Sequence, residues 1–231
     1  MDLLGDPLKL PDRVWRLPRR EDDEGADQNI GRILALSDGV FAIALTLLIL
    51  DIVVPATTAD DELGKALLHI WPRYLAYALS FLVIARFWVI HHQMFKLIVR
   101  DNATLVWLNF LLLFFIAFLP FPTAVLGGHE RAPAAAVLYA TAVFLTSASS
   151  AAYLWYATGR GNLLRPDVAR GQIRAMRARS MSGPVLFALS VPIAAVAPYI
   201  AEAIWICAFP LARIAFVWFS GEESDETGQP G

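Results

Sequence analysis

Six stretches of this chain are apolar over about the length that a helix needs to cross a lipid bilayer, and nothing else in the sequence constrains the fold as tightly. A crossing takes roughly 20 residues, because about 30 Å of hydrocarbon must be covered at about 1.5 Å per residue. Such runs lie at residues 33–54, 66–90, 103–126, 134–157, 184–200 and 203–219, separated by short breaks that contain Pro, Gly or charge. Only a short break at 198–202 keeps the last two from reading as one bent helix. With 57% hydrophobic and 17% charged residues, the chain carries more apolar surface than an ordinary soluble domain, so these runs face lipid. The expected fold is an all-α membrane protein with six transmembrane helices per subunit.

Charge sorts the connections into two kinds. Basic residues crowd the amino-terminal segment (Arg13, Arg16, Arg19, Arg20, Arg32), the 2–3 connection (Lys96, Arg100) and the 4–5 connection at residues 160–179. The other connections carry acidic or balanced charge: Asp60, Asp61, Glu62 and Lys65, then Glu130 with Arg131, then Glu202. Positive residues beside spans are retained in the cytoplasm, so both termini are expected inside a cell membrane crossed six times. Residues 1–31 lack the apolar core of a cleavable signal peptide and read as a mobile cytoplasmic tail. Residues 32–219 form the transmembrane domain, and the acidic stretch 220–231 is a second cytoplasmic tail. A net charge of −2 with no matching motif gives no support to nucleic-acid binding. The single cysteine, Cys207, excludes an intrachain disulfide and a thiolate cluster.

The first span carries the chemistry. It reads Arg32-Ile-Leu-Ala-Leu36-Ser37-Asp38-Gly39-Val-Phe41-Ala-Ile43-Ala-Leu-Thr46-Leu-Leu-Ile-Leu50, with polar groups entering an apolar helix near its cytoplasmic end. An aspartate at mid-membrane costs about 2.5–3.5 kcal/mol on insertion scales and less near the interface, so Asp38 needs a partner or water. Arg32 lies about 1.7 turns earlier, a spacing that suits pairing between helices better than along one. Leu36, Gly39, Ile43, Thr46 and Leu50 alternate by three and four and share one helical stripe. Around a shared axis, copies of this stripe would make apolar rings at Ile43 and Leu50 with a ring of hydroxyls at Thr46 between them. Such rings can narrow or dewet a pore. The stripe alone favours a plainer reading, a packing seam in which Gly39 permits close approach.

The run from Arg32 to Leu50 strongly resembles the first-helix signature of the transmembrane protein 175 family of potassium channels. It departs at one position, where Leu36 stands in place of the usual phenylalanine. The resemblance continues through Phe87-Trp88, His91-His92 and Phe95, and through Trp107-Leu-Asn109 onward to Pro120, Pro122 and Thr123. Pro184, Ser190, Pro192 and Pro198 recur at family-like places in the later spans. This resemblance implies one six-helix unit per subunit, a homotetramer in the lipid bilayer, and the first helix lining a central pore. It makes Ile43 and Leu50 the expected constriction and Thr46 a contributor to potassium preference. Arg32, Ser37, Asp38, His91, His92 and Asn109 would form a structural polar network that holds the pore helices. The permeant ion would be K+, and the resemblance implies no cofactor.

Other classes are weighed against this. A secondary cation or proton transporter is the runner-up, but residues 32–127 and 132–219 show no convincing inverted repeat. An enzyme would need Ser37, Asp38 and His91 to act as a triad, although the same residues suit a structural network, and no enzymatic activity is expected. His91 and His92 lack the further partners a metal site wants, so no metal site is assigned. No Thr-Val-Gly-Tyr-Gly filter and no regular arginine array occur, and Arg213 stands alone in the sixth span. A leak conductance of modest selectivity, without strong voltage gating, is the expectation.

Overall fold

The computed structural model of the chain describes residues 21–54, 61–129, 132–161 and 163–208, with side chains from residue 28 onward. Residues 1–20, Asp60, Glu130, Arg131, the end of the sixth span with Arg213, and the tail 220–231 fall outside them. Nine α-helices are found among the described residues: α1 (Glu21–Leu47), α2 (Leu63–His69), α3 (Trp71–Phe95), α4 (Ala103–Phe118), α5 (Pro120–Gly128), α6 (Pro133–Thr158), α7 (Arg170–Ser180), α8 (Ser182–Val196) and α9 (Pro198–Ala208). Among the described residues, five segments are long and apolar enough to cross a membrane: Gln28–Asp51, Trp71–Phe95, Ala103–Gly128, Pro133–Thr158 and Arg170–Val196. A sixth apolar helix, α9, follows them.

The helix boundaries correct the sequence reading at several points. Helix α1 begins at Glu21, ahead of the first apolar run, and continues through residue 32. The second span starts at Trp71 rather than residue 66, because the chain leaves helical geometry at Ile70 and Pro72 opens the next helix. It then runs on to Phe95 and carries His91 and His92 within its last turns. The third span is two helices broken at Leu119, where Pro120 and Pro122 cannot donate backbone hydrogen bonds. Half of the basic 4–5 connection is itself the helix α7. The fifth span ends at Val196, since Ala197 precedes Pro198 and is held out of the helical region. Glu202, expected in the following loop, lies inside α9.

Helix α6 is the centre of the bundle. Its buried positions include Ala135, Ala136, Ala140, Ala142 and Ala151, small residues that let neighbouring backbones approach. At Gly183 of α8 that approach is close enough for an added Cβ to lie 3.1 Å from the Ser147 side chain. The hydroxyls of Thr146, Ser147 and Ser149 return to carbonyls of α6 itself at 2.8–2.9 Å, which satisfies them without a partner helix. Tyr139 instead reaches outward. Its hydroxyl lies 3.1 Å from Ser80 Oγ, which is 2.8 Å from Thr123 Oγ1, and Thr123 is 2.9 Å from the Leu119 carbonyl. Each hydroxyl has one proton, so the order that employs all three runs from Tyr139 to Ser80 to Thr123 to the carbonyl. This chain ties α3 and α6 to the proline break between α4 and α5.

One end of the bundle is closed by its connections. Val99 N–H donates to the Leu163 carbonyl and Arg165 N–H to the Leu97 carbonyl, both at 2.9 Å, making a short antiparallel bridge at Ile98 and Leu164. Asn102 caps α4 by accepting from Leu105 N–H and donates to the Tyr156 hydroxyl of α6. Arg177 of α7 donates to Thr158 Oγ1 at 2.8 Å and lies 5.5 Å from the centre of the Trp155 ring. Trp155 Nε1 in turn donates to Ser180 Oγ. These contacts fix the basic helix α7 against the end of α6.

Candidate pore helix and its polar network

Helix α1 has two unlike faces. Ser37, Phe41, Ala44 and Leu48 recur by four, three and four residues and are buried, with Ala44 and Leu48 fully so. The other face carries the sequence-predicted stripe, and all of it is exposed in the subunit: Leu36, Gly39, Ile43, Thr46 and Leu50. Ile43 is 60% exposed and Leu50 65%, values that leave most of both residues uncovered in the subunit. The helix tightens after Leu47 into a 3-10 turn at Leu48–Asp51, so Leu50 belongs to that turn and not to the regular α1 stripe. Thr46 Oγ1 lies 2.9 Å from the Ile43 carbonyl and 3.1 Å from that of Ala42. Its proton is thereby used within the helix, while the oxygen lone pairs stay available on the exposed face.

The buried face is held by polar contacts. Ser37 Oγ donates to the Ile33 carbonyl at 2.8 Å and accepts from Asn109 Nδ2 of α4 at 3.0 Å. Asn109 Oδ1 lies 2.8 Å from His91 Nε2 of α3. An amide oxygen only accepts, so His91 must carry its proton on Nε2. Three helices are thus linked by two side-chain hydrogen bonds inside the membrane-spanning bundle. Such bonds average about 0.6 kcal/mol in a membrane protein, enough to orient helices but small beside a severed network. Rings surround the His91 imidazole: Phe95 at 4.6 Å, Phe41 at 5.4 Å and Tyr153 at 5.9 Å between centroids.

Of the six residues expected in the polar network, Ser37, Asn109 and His91 come together in this chain of bonds. Asp38 does not join it. Its Oδ1 accepts from Trp88 Nε1 at 2.8 Å, and the Trp88 ring stacks on His92 at 5.3 Å. Trp88 is therefore the partner that answers the charge of Asp38, a pairing across 50 positions that no local spacing could signal. Arg32 is exposed and makes no polar side-chain contact with a described residue. Asn109 stands between Ser37 and His91, and Asp38 turns to Trp88, so no serine–histidine–aspartate relay is formed. A hydroxyl whose proton goes to a helix carbonyl is held as a structural group and is not activated by a base.

Comparison with known proteins bears on this arrangement. Residues 32–120 match the family described as endosomal/lysosomal potassium channel TMEM175. A potassium channel of Streptomyces collinus is 42% identical over 168 residues, which cover 71% of this chain and 82% of that one. A potassium channel of Chamaesiphon minutus is also 42% identical, over 170 residues that cover 69% of this chain and 83% of the relative. The crystal structure of a lysosomal potassium-selective channel TMEM175 homologue from Chamaesiphon minutus superimposes with a TM-score of 0.71 at 32% identity. That match takes in 80% of this chain and 97% of the other.

Proposed function

The chain belongs to the TMEM175 family of ion channels, and on that premise we propose that it is a potassium channel: a homotetrameric leak pathway through the bilayer, lined by α1, that passes K+ passively with modest preference over sodium. The observation that carries this reading is the uncovered face of α1. Opposite the buried face that packs on α3 and α4, Ile43, Thr46 and Leu50 stand together on the exposed side of this span. A single exposed apolar stripe costs little in lipid, but a stripe that also bears a threonine hydroxyl suits a narrow aqueous axis.

In this reading four copies of Ile43 and Leu50 form the constriction, where an apolar ring resists wetting. Thr46 lies between them and offers oxygens to an ion that has shed part of its water. Ser37, Asn109 and His91 hold α1 against α3 and α4, and Asp38 with Trp88 and His92 steadies the same end; Arg32 is left for contact with a neighbouring subunit. Residues 32–219 are the channel domain between two cytoplasmic tails, 1–31 and 220–231, in a cell membrane. The basic residues gathered at one end of the bundle support that orientation, because α7 and the 2–3 connection both lie there. The activity is conduction, and no enzymatic step or cofactor is assigned to it.

The test is ion flux through purified protein in liposomes holding a potassium gradient. Potassium should move down its gradient without saturating at low concentration, and replacing it by sodium should slow the flux. A folded protein that carries no current, or one whose flux saturates and couples to protons, sinks the channel reading and brings the transporter forward.

A further inference from the structure

Helix α1 ends in the 3-10 turn Leu48–Asp51, and that turn has no basic residue of its own. The last carbonyls of a helix have no intrahelical donor and carry its negative dipole end, so a cation beside them is favoured. Arg73, in the first turn of α3, supplies one from outside. Its Nη1 donates to the carbonyl of Val53, two residues beyond the turn, at 3.0 Å. Its positive charge also acts on the carboxylate of Asp51, the last residue of the turn. A guanidinium near the end of a span can reach for water, yet this one is directed to the chain that leaves α1.

The arginine is braced from behind. Arg73, Ala76 and Ser80 share one face of α3 by steps of three and four, and Thr123 and Gly127 share one face of α5 by a step of four. The two faces meet. Thr123 Oγ1 lies 2.8 Å from Ser80 Oγ, and a Cβ added at Gly127 would come within 3.1 Å of Arg73 Cα and 3.3 Å of Ala76 Cβ. The missing side chain at Gly127 is what lets α5 come so close to the Arg73 backbone. Thr123 also belongs to the hydroxyl chain that fixes the proline break at the start of α5. Both α3 and α5 pack on the 3-10 turn itself.

We infer that Arg73 is a positioning residue for the Leu50 end of α1: it clamps the turn that carries Leu50, and the seam of Ser80, Thr123 and Gly127 keeps the clamp in place. Arg73 itself touches no ion. On the channel reading, on which this consequence rests, the clamp sets the width of the Leu50 layer. Ile43, about two turns earlier on the regular helix, is governed instead by the polar network of Ser37, Asn109 and His91.

The experiment uses the full chain with Cys207→Ser, so that a single spin label can be placed at Leu50→Cys or at Ile43→Cys and its mobility read by electron paramagnetic resonance. Arg73→Met should loosen the label at Leu50 and leave the one at Ile43 unchanged. Gly127→Val should do the same by pushing on the Arg73 backbone, and Arg73→Lys, which still donates and keeps the charge, should retain most of the immobilisation. Potassium flux is measured beside this on unlabelled protein with Leu50 and Ile43 in place. Arg73→Met is expected to change it about threefold and Arg73→Lys less; in a Leu50→Ala background the Arg73→Met effect should vanish, because the layer it positions is gone. An unmoved Leu50 label in both Arg73→Met and Gly127→Val overturns the clamp. Equal loosening at Ile43, which would mean a general loss of packing, overturns it as well, as does a flux effect that survives in full in Leu50→Ala. Should Arg73→Met fail to fold, Gly127→Val and Arg73→Lys decide by the same two labels. A Leu50 label loosened in protein that carries no potassium current leaves the clamp standing and removes the channel reading, so the two fail separately.

Discussion

Helices α1 and α6 are built from similar apolar residues, yet they finish in opposite states. Over the membrane-crossing window, 56% of α6 is buried inside the subunit and 22% of the span containing α1. In α6 the hydroxyls of Thr146, Ser147 and Ser149 are spent on its own carbonyls, and alanines admit neighbours on several sides. In α1 the buried face reaches across to Asn109 of α4 through Ser37, while the stripe from Leu36 to Leu50 is exposed. The contrast teaches that α6 is complete within one subunit and α1 is not. A helix that buries one face through polar contacts and leaves open a stripe bearing a hydroxyl is where assembly and function should be sought.

That comparison can be broken most directly at Ile43. Ile43→Trp should leave the subunit fold intact, because the side chain already stands in the open, and should lower potassium flux by about tenfold or more. Unchanged flux in liposomes would remove the constriction from α1. Fully buried Ala140 of α6 should respond in the reverse sense: Ala140→Leu overpacks the centre and costs about 1–3 kcal/mol, read as an earlier unfolding midpoint in detergent. If this variant is as stable as wild type, α6 is not the packed core described. Asn109→Ala should cost a similar amount, about 1–3 kcal/mol, since it removes the acceptor of His91 and the donor to Ser37 at once. Adding Ser37→Ala to it should cost little more, and full additivity in the double-mutant cycle would argue against one shared network. The finest probe is the same substitution on both helices. Thr46→Val should erode the potassium preference a few-fold with stability within about 0.5 kcal/mol, while Thr146→Val should leave the potassium-to-sodium flux ratio alone. Equal ratios in both variants would relieve Thr46 of any role in selectivity.

Much of the site was legible because it lies on one helix. Leu36, Gly39, Ile43 and Thr46 share a face by the period of the helix alone, and that face is the exposed one. Ser37, Asn109 and His91 were recognisable as polar residues in apolar runs, which demand partners, though their order was not. The sequence suggested Arg32 or a histidine for Asp38, whereas the bond goes to Trp88. The charge of Arg73 passed unnoticed, because one arginine does not interrupt an apolar run and its meaning comes from the carbonyl it reaches. Boundaries slipped at 66–70 and 198–202 for a similar reason: hydropathy continues smoothly where the backbone bends at Ile70 and Ala197.

Sequence alone determined that the chain must cross a membrane as helices, that its first span carries a polar cluster and a stripe, and that its basic residues gather in alternate connections. These properties are local or compositional and follow from residue type, helix period and the length of hydrocarbon to be crossed. Tertiary structure alone decided that the stripe would be the face left open, that Asn109 would stand between Ser37 and His91, and that Arg73 would hold the carbonyl of Val53. Each of these depends on which helix packs against which. The lipid is as apolar as the side chains, so close packing and a few buried hydrogen bonds make that choice, and their partners lie far apart in the chain.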